Sequence, residues 1–237
     1  LIAAPTWGNK IRSFDALRGS YKTKDRQLDA FYAAVVVNDD NNFNRSSNDE
    51  RLYGLYGTQR LPGIKTSADA YLLVLDDRRS AADTLRYTVG LRLAGNLPAD
   101  IRYDVELPFQ FGEQGDADIR AYALHAQIAR PWLSLAWKPE LVLAYNQASG
   151  DRDRSDSTVN TFVPLYQSVH APYGLTDYFR WQNMREIELS ARLQVAEKLT
   201  IIPQMNFFWL DDVSDFWYTS SGGKMRSLLP AENIDRY

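Results

Sequence analysis

The sequence predicts an all-β chain that forms the wall of an antiparallel transmembrane β-barrel. Three observations predict it. Apolar and polar residues alternate with period two over stretches of ten residues or more, and the connections between these stretches alternate between short turns and longer polar loops. No apolar run approaches the ~18–20 residues of a membrane helix; the longest is AFYAAVVV at 30–37. Period-two alternation puts successive side chains on opposite faces of a strand. In a membrane barrel one face meets lipid and the other the lumen, over strands of ~9–11 residues.

Taken in chain order, the alternation places about ten strands near 13–23, 26–37, 50–61, 68–78, 84–96, 100–113, 119–131, 139–150, 183–196 and 199–211. Three of them are unambiguous in facing. In 84–96, Leu85, Tyr87, Val89, Leu91 and Leu93 oppose Arg86, Thr88, Gly90, Arg92 and Asn96. In 101–112, Ile101, Tyr103, Val105, Leu107, Phe109 and Phe111 oppose Arg102, Asp104, Glu106, Pro108, Gln110 and Gly112. In 185–195, Ile187, Leu189, Ala191, Leu193 and Val195 oppose Glu186, Glu188, Ser190, Arg192 and Gln194. The stretch 68–78, ADAYLLVLDDR, is ambiguous in its facing. Short connections are TKDR at 23–26, PGIKTS at 62–67, LPAD at 97–100, the segment 131–139 and AEK at 196–198. Longer or more polar ones are 38–50, 112–118, 151–182 and the segment from 211 onward. Short turns at one end and longer loops at the other are the layout of an outer-membrane barrel.

Composition removes several classes. There is no Cys, so disulfides, thiolate nucleophiles and iron–sulfur ligation are excluded. Two His leave little for a metal or proton-relay site, and no Ser/His/Asp arrangement is supported. With 27 basic against 30 acidic residues, the chain carries no basic footprint for nucleic acid. A soluble β-sandwich also alternates apolar and polar residues. Against it, the apolar faces carry almost no charge, and a Lys or Arg at mid-bilayer costs ~2–4 kcal/mol. Aromatics gather at strand ends: Tyr103, Trp132 and Trp137 near the short turns, and Phe109, Phe111, Tyr145, Phe207 and Trp209 near the long loops. The opposite faces are charged, which no sandwich core tolerates.

A pore acts through its wall. The inward charges assigned are Arg18, Lys22, Arg86, Arg92, Arg102 and Arg192, against Asp29, Asp69, Asp104, Glu106, Glu140, Glu186 and Glu188. Rings of cationic side chains select for anions. Such charges also pair across strands merely to satisfy one another, and six positive against seven negative residues do not make a positive tunnel. The long loop 151–182 holds Phe162, Leu165, Tyr166, His170, Tyr173, Tyr178, Phe179 and Trp181. So aromatic a loop packs on itself, as a rim cap or as a gate folded into the mouth. Asp151, Asp153 and Asp156 open it; hard oxygen ligands at this density suit Ca²⁺, but Arg152 and Arg154 lie between them and a solvated or self-paired loop competes. His125 is read as a hydrogen-bonded wall residue, and no other cofactor is expected.

Several stretches together resemble the alginate-export outer-membrane porin family of Gram-negative bacteria. They are RSFDALR at 12–18, LDAFY at 28–32, DERLYGLY at 49–56, GLRLAG at 90–95, RYDVE at 102–106 with QFG at 110–112, and ASGD at 148–151. Further along come His170 with Tyr173, Gly174 and Asp177, then WQN at 181–183, FWL at 208–210 and DFWY at 215–218. The resemblance spans essentially the whole chain, read as one domain over 1–237. It implies an 18-stranded barrel that passes an anionic polysaccharide across the bacterial outer membrane. The implied partners are membrane lipid, lipopolysaccharide, the polysaccharide and periplasmic export proteins, without catalysis. The family domain is longer, so the expectation is a part of the larger barrel; ten strands are also enough to close a smaller one. The competing functions are a structural barrel that sheathes or anchors a partner in an envelope complex, and a soluble carbohydrate-binding β-domain.

Overall fold

The computed structural model describes residues 12–39, 41–168, 173–174 and 176–225. His170 lies outside the described residues. The strands in chain order are β1 (Phe14–Lys22), β2 (Arg26–Val37), β3 (Arg45–Leu61), β4 (Thr66–Asp77), β5 (Thr84–Asn96), β6 (Arg102–Gln114), β7 (Ala117–Pro131), β8 (Glu140–Ala148), β9 (Thr158–Val159), β10 (Met184–Ala196), β11 (Leu199–Ile201), β12 (Gln204–Trp209), β13 (Trp217–Tyr218) and β14 (Lys224–Met225). Twelve of them form one sheet, in which β1 to β8 each pair antiparallel with the next and β8 then pairs with β10. β10 pairs with both β11 and β12. The sheet is open: among the described residues β1 pairs only with β2.

Register keeps each face uniform. Val89 lies opposite Phe109, Leu91 opposite Leu107, and Arg92 opposite Glu106. The connection between β5 and β6 closes with Leu97 N–H donating to the Ile101 carbonyl at 2.7 Å. Leu55, Leu91, Leu107, Phe109, Ile128, Leu143 and Leu189 are exposed on the outward face, and among the described residues no second sheet covers them. On the other face Arg86, Thr88, Gln110, Asn146 and Glu186 are buried. Apolar outside and polar inside is the inverse of a water-soluble sandwich and the arrangement of a barrel wall in lipid.

The structure moves several boundaries. β3 begins at Arg45, because Val36 and Val37 pair with Ser46 and Arg45 across a bulge, so the polar loop 38–50 shrinks to 38–44. The expected loop 112–118 shrinks to 115–116, where Gly115 takes the left-handed conformation (φ 59°) that a tight reversal requires. The connection expected at 131–139 is found at 132–139; it is no shorter than 38–44 at the other end, so the contrast in loop length rests mainly on the segment after β8. The single strand expected at 199–211 divides into β11 and β12. Pro203 has no N–H to donate, and only its carbonyl joins β10, accepting from Ala191 N–H at 3.0 Å.

In β4 the ambiguity resolves with Asp69, Tyr71, Leu73 and Leu75 inward. Two buried leucines on a lumen face mean that something covers them, and residues of the 149–183 segment do: Leu165 and Tyr166 belong to the same cluster.

Leu107→Arg places a guanidinium on the outward face in mid-strand, and folding into phospholipid vesicles should weaken by about 2–4 kcal/mol. Denaturant titration of tryptophan fluorescence in vesicles measures it; an unchanged midpoint would show that this face does not meet hydrocarbon.

Candidate functional site

The inner face carries the candidate site. Because neighbouring strands share facing, Arg18 of β1 projects beside Asp29 of β2. Its Nε and Nη2 donate to one carboxylate oxygen at 3.0 and 2.8 Å. Asp29 also accepts from Ser20 Oγ and from Gln27 Nε2 at 2.7 Å. Arg92 of β5 grips Asp104 of β6 with two parallel bonds, at 2.8 and 2.5 Å. Its Nη1 also lies 3.9 Å from Asp69. Arg102 forms an ion pair with Glu140 two strands away. Between the Arg18 and Arg92 pairs stand Tyr56 and Tyr71, stacked with ring centroids 5.6 Å apart and planes within 5°. Tyr56 donates to Asp69 at 2.9 Å and Tyr71 to Glu106 at 2.6 Å. A pocket of ≈ 360 Å³ opens here, lined among others by Arg18, Phe31, Tyr56, Tyr71, Arg92 and Glu106.

The pairs are asymmetric in exposure. The side chain of Arg18 is 57% exposed and that of Asp29 10%. Arg92 is 40% exposed against 12% for Asp69 and 22% for Asp104. Arg102 is 51% exposed against 21% for Glu140. The carboxylates lie down in the wall, Asp29 held by the Ser20 hydroxyl and Asp69 by that of Tyr56, while the arginine side chains stand toward solvent. A wall whose acids outnumber its bases therefore presents its cations.

Other predicted wall residues serve differently. Arg86, assigned with Arg92 and Arg102 to the inward charges that could select for anions, is instead buried, donating to Gln110 Oε1 at 2.9 Å. The inward segment covers it. Glu186 is likewise fully buried, accepting from Asn146 Nδ2 at 2.6 Å and from Asn206. His125 Nδ1 lies 2.7 Å from Asn146 Oδ1, in the role of a hydrogen-bonded wall residue. Glu188 accepts from Ser190, and Arg192 is exposed beside Glu140 in register.

The described residues of the segment 149–183 fold onto the inner face. Small side chains make room for it: Ala121, Ala123 and Ala148 form the floor under Phe162, Tyr173 and Trp181. Phe162 packs edge-on against Trp181, with centroids 5.4 Å apart. The carboxamide of Gln110 clamps the backbone of Val163 from both sides, accepting from its N–H at 3.0 Å and donating to its carbonyl at 2.7 Å. Arg180 donates to the Pro164 carbonyl at 2.7 Å, and Tyr166 reaches Glu50 of β3 at 3.0 Å. Burial, with the Glu50 charge beside it, pushes the Tyr166 phenol up. Burial, with Arg12 nearby, brings the Arg180 guanidinium down to about 10. β9, absent from the predicted set, lies in this segment and pairs parallel with Asp118 and Ile119 of β7.

Asp151, Asp153 and Asp156 do not converge. Each carboxylate accepts from a nearby backbone N–H, of Asp153, Ser155 and Thr158 respectively. The bonds from Ser155 hold the Asp153 carboxyl below the usual carboxylate range. Among the described residues no three His, Cys, Asp or Glu are placed to hold a metal ion. Sequence reasoning missed Gln110, Glu50 and the Tyr56–Tyr71 stack. The available signal was the run of inward alanines and leucines, since a lumen wall facing only water would not bury Leu73 and Leu75.

Among models of protein families, one described as Alginate export matches residues 1–230. No curated protein matches the chain.

Gln110→Ala removes both bonds to Val163, and at ~0.5–1.5 kcal/mol each the segment's attachment should weaken by about 1–3 kcal/mol. Limited proteolysis in detergent should then cut within 149–168 several-fold faster while the rest of the sheet stays resistant. An unaltered cleavage rate would mean that the clamp does not hold the segment.

Proposed function

This chain belongs to the alginate export family, and we propose that it lines an outer-membrane channel through which an anionic, uronate-type polysaccharide passes. The observation that carries the reading is the exposure asymmetry of the inward ion pairs. Arg18, Arg92 and Arg102 offer half-exposed guanidiniums whose counter-charges lie recessed in the wall. A planar guanidinium matches a carboxylate with two hydrogen bonds. Each of these arginines already holds one carboxylate, so a passing uronate finds only the remaining donors. Its contact is weak and exchangeable, which suits conduction better than one tight site. The exposed apolar face supplies the lipid contact that a membrane wall needs. The segment 149–183 narrows the passage from the inner face and acts as a constriction. In this reading the end bearing that segment faces the cell exterior, beside lipopolysaccharide, and the short turns face the periplasm.

Arg92→Glu combined with Arg102→Glu in the complete protein should shift the reversal potential in planar bilayers away from anion preference and lower polysaccharide secretion. The heat-modifiable gel mobility of the folded protein should be retained. Full anion preference and full secretion in the double variant would leave these pairs a structural role alone, and an absence of conductance in the wild type would favour the sheath reading.

The sidedness has its own test. Ser157 is exposed in the long segment, and a cysteine there should react with a membrane-impermeant maleimide on intact cells. Reaction only after lysis would reverse the orientation.

A further inference from the structure

The outward face is not uniformly smooth. Over β7, β8, β10 and β12 it carries an apolar groove of ≈ 660 Å³, lined by Ile128, Leu141, Leu143, Leu189, Pro203 and Met205. Two features hollow it. The strand breaks at Pro203, and the small Ala191 stands opposite Leu141. At its short-turn end the groove meets Arg130, whose guanidinium lies over the Trp132 ring at 4.9 Å. Arg130 is an exposed cation on the outward face, and among the described residues no carboxylate pairs with it. The adjoining turn 132–139 exposes Leu133, Leu135 and Trp137 and then Lys138.

We propose that this groove and its Arg130–Trp132 rim form a binding site for an anionic phospholipid, with the phosphate at Arg130 and Lys138 and an acyl chain in the groove. Three points identify the occupant. The backbone here is committed to the β7–β8 and β8–β10 ladders, so a peptide finds no free edge to pair with; the groove offers apolar contact and a cation, which is what a lipid needs. Tryptophan beside a basic residue at a strand end marks the headgroup level of a membrane. The charge of the whole rim agrees. Lys22, Lys24, Lys65, Lys138 and Lys198 all lie at the short-turn end, with Arg26 and Arg60, against Asp25, Asp100 and Glu197. Among the described residues Lys224, in β14, is the one lysine elsewhere. The opposite end carries Asp39, Asp76, Asp77, Asp83, Asp116 and Asp118 in or beside its connections, with arginines and without lysine in the strand connections; Asp76, Asp77 and Asp118 pair there with Arg78, Arg79 and Arg120. A leaflet of anionic headgroups therefore meets a complementary rim at the short-turn end.

The inference rests on the outward face lying in a bilayer, and the experiment separates the two. The complete protein, folded in detergent, is titrated with phosphatidylglycerol or phosphatidylcholine of equal acyl length and followed by native mass spectrometry. The wild type should retain phosphatidylglycerol several-fold more strongly. Arg130→Gln and Lys138→Gln should each reduce that retention about fivefold, as expected for one basic residue at an anionic surface, and leave phosphatidylcholine unchanged. Ala191→Leu, which fills the groove without touching a charge, should lower retention of both lipids. Equal retention of the two lipids by the wild type overturns the headgroup site. So does full phosphatidylglycerol retention in both charge variants, or a second copy of the chain in the lipid's place. A protein that takes up neither lipid and stays soluble without detergent overturns the membrane reading itself.

Discussion

A peptide group left unpaired in hydrocarbon costs several kcal/mol, so a chain that crosses a bilayer with strands must pair every one of them along a continuous sheet. The rest of this structure depends on that constraint. Once pairing is obligatory, register is no longer free. With β5 held in place, a shift of one residue between β5 and β6 would turn Glu106 toward lipid and Leu107 toward the lumen. The hydrophobic face selects the register, and the register then decides which charged side chains meet inside. Arg92 reaches Asp104 and Asp69 because each lies on an adjacent strand at nearly the same height.

The inner face shows how a balanced set of charges acquires a sign. Carboxylates have short side chains and stay near the wall, where tyrosine, serine and glutamine donors can reach them. Asp29 receives Ser20, Gln27 and Arg18 at once. Arginine is long, and its guanidinium extends past its partner into solvent while remaining bonded to it. Any wall with short acids and long bases tends toward the same result, a cationic surface over an anionic lining. The Tyr56–Tyr71 stack holds the two rows of pairs apart and orients Asp69 and Glu106 within the wall.

The segment after β8 covers part of the inner face. Its attachment uses backbone more than side chains. Gln110 bonds the main chain of Val163 and the indole of Trp181 the carbonyl of Gln147, while Arg180 ties the segment to itself at Pro164, and three inward alanines leave the volume its aromatics fill. The cost falls on Arg86 and Glu186, which lose access to the lumen and become buried polar groups satisfied by amides.

The sequence by itself determined the long strands and, outside 68–78, their facing, because period-two alternation is a local property that pairing cannot change. The clean alternation of 84–96 and 101–112 was enough to place Leu107 outside and Arg92 inside. Separately, the short motifs in order along the chain carried a family resemblance that the match over residues 1–230 bears out. Where a local rule has a local cause, small departures were legible too late: Pro203 splits a strand, and Gly115 tightens a loop. What only the tertiary structure decided is which charges stand open and which are covered. That depends on contacts between residues far apart in the chain, such as Gln110 with Val163 and Tyr166 with Glu50. Alternation assigns a side chain to a face, but it carries no information about what folds across that face, and so it could not distinguish the exposed Arg92 from the buried Arg86.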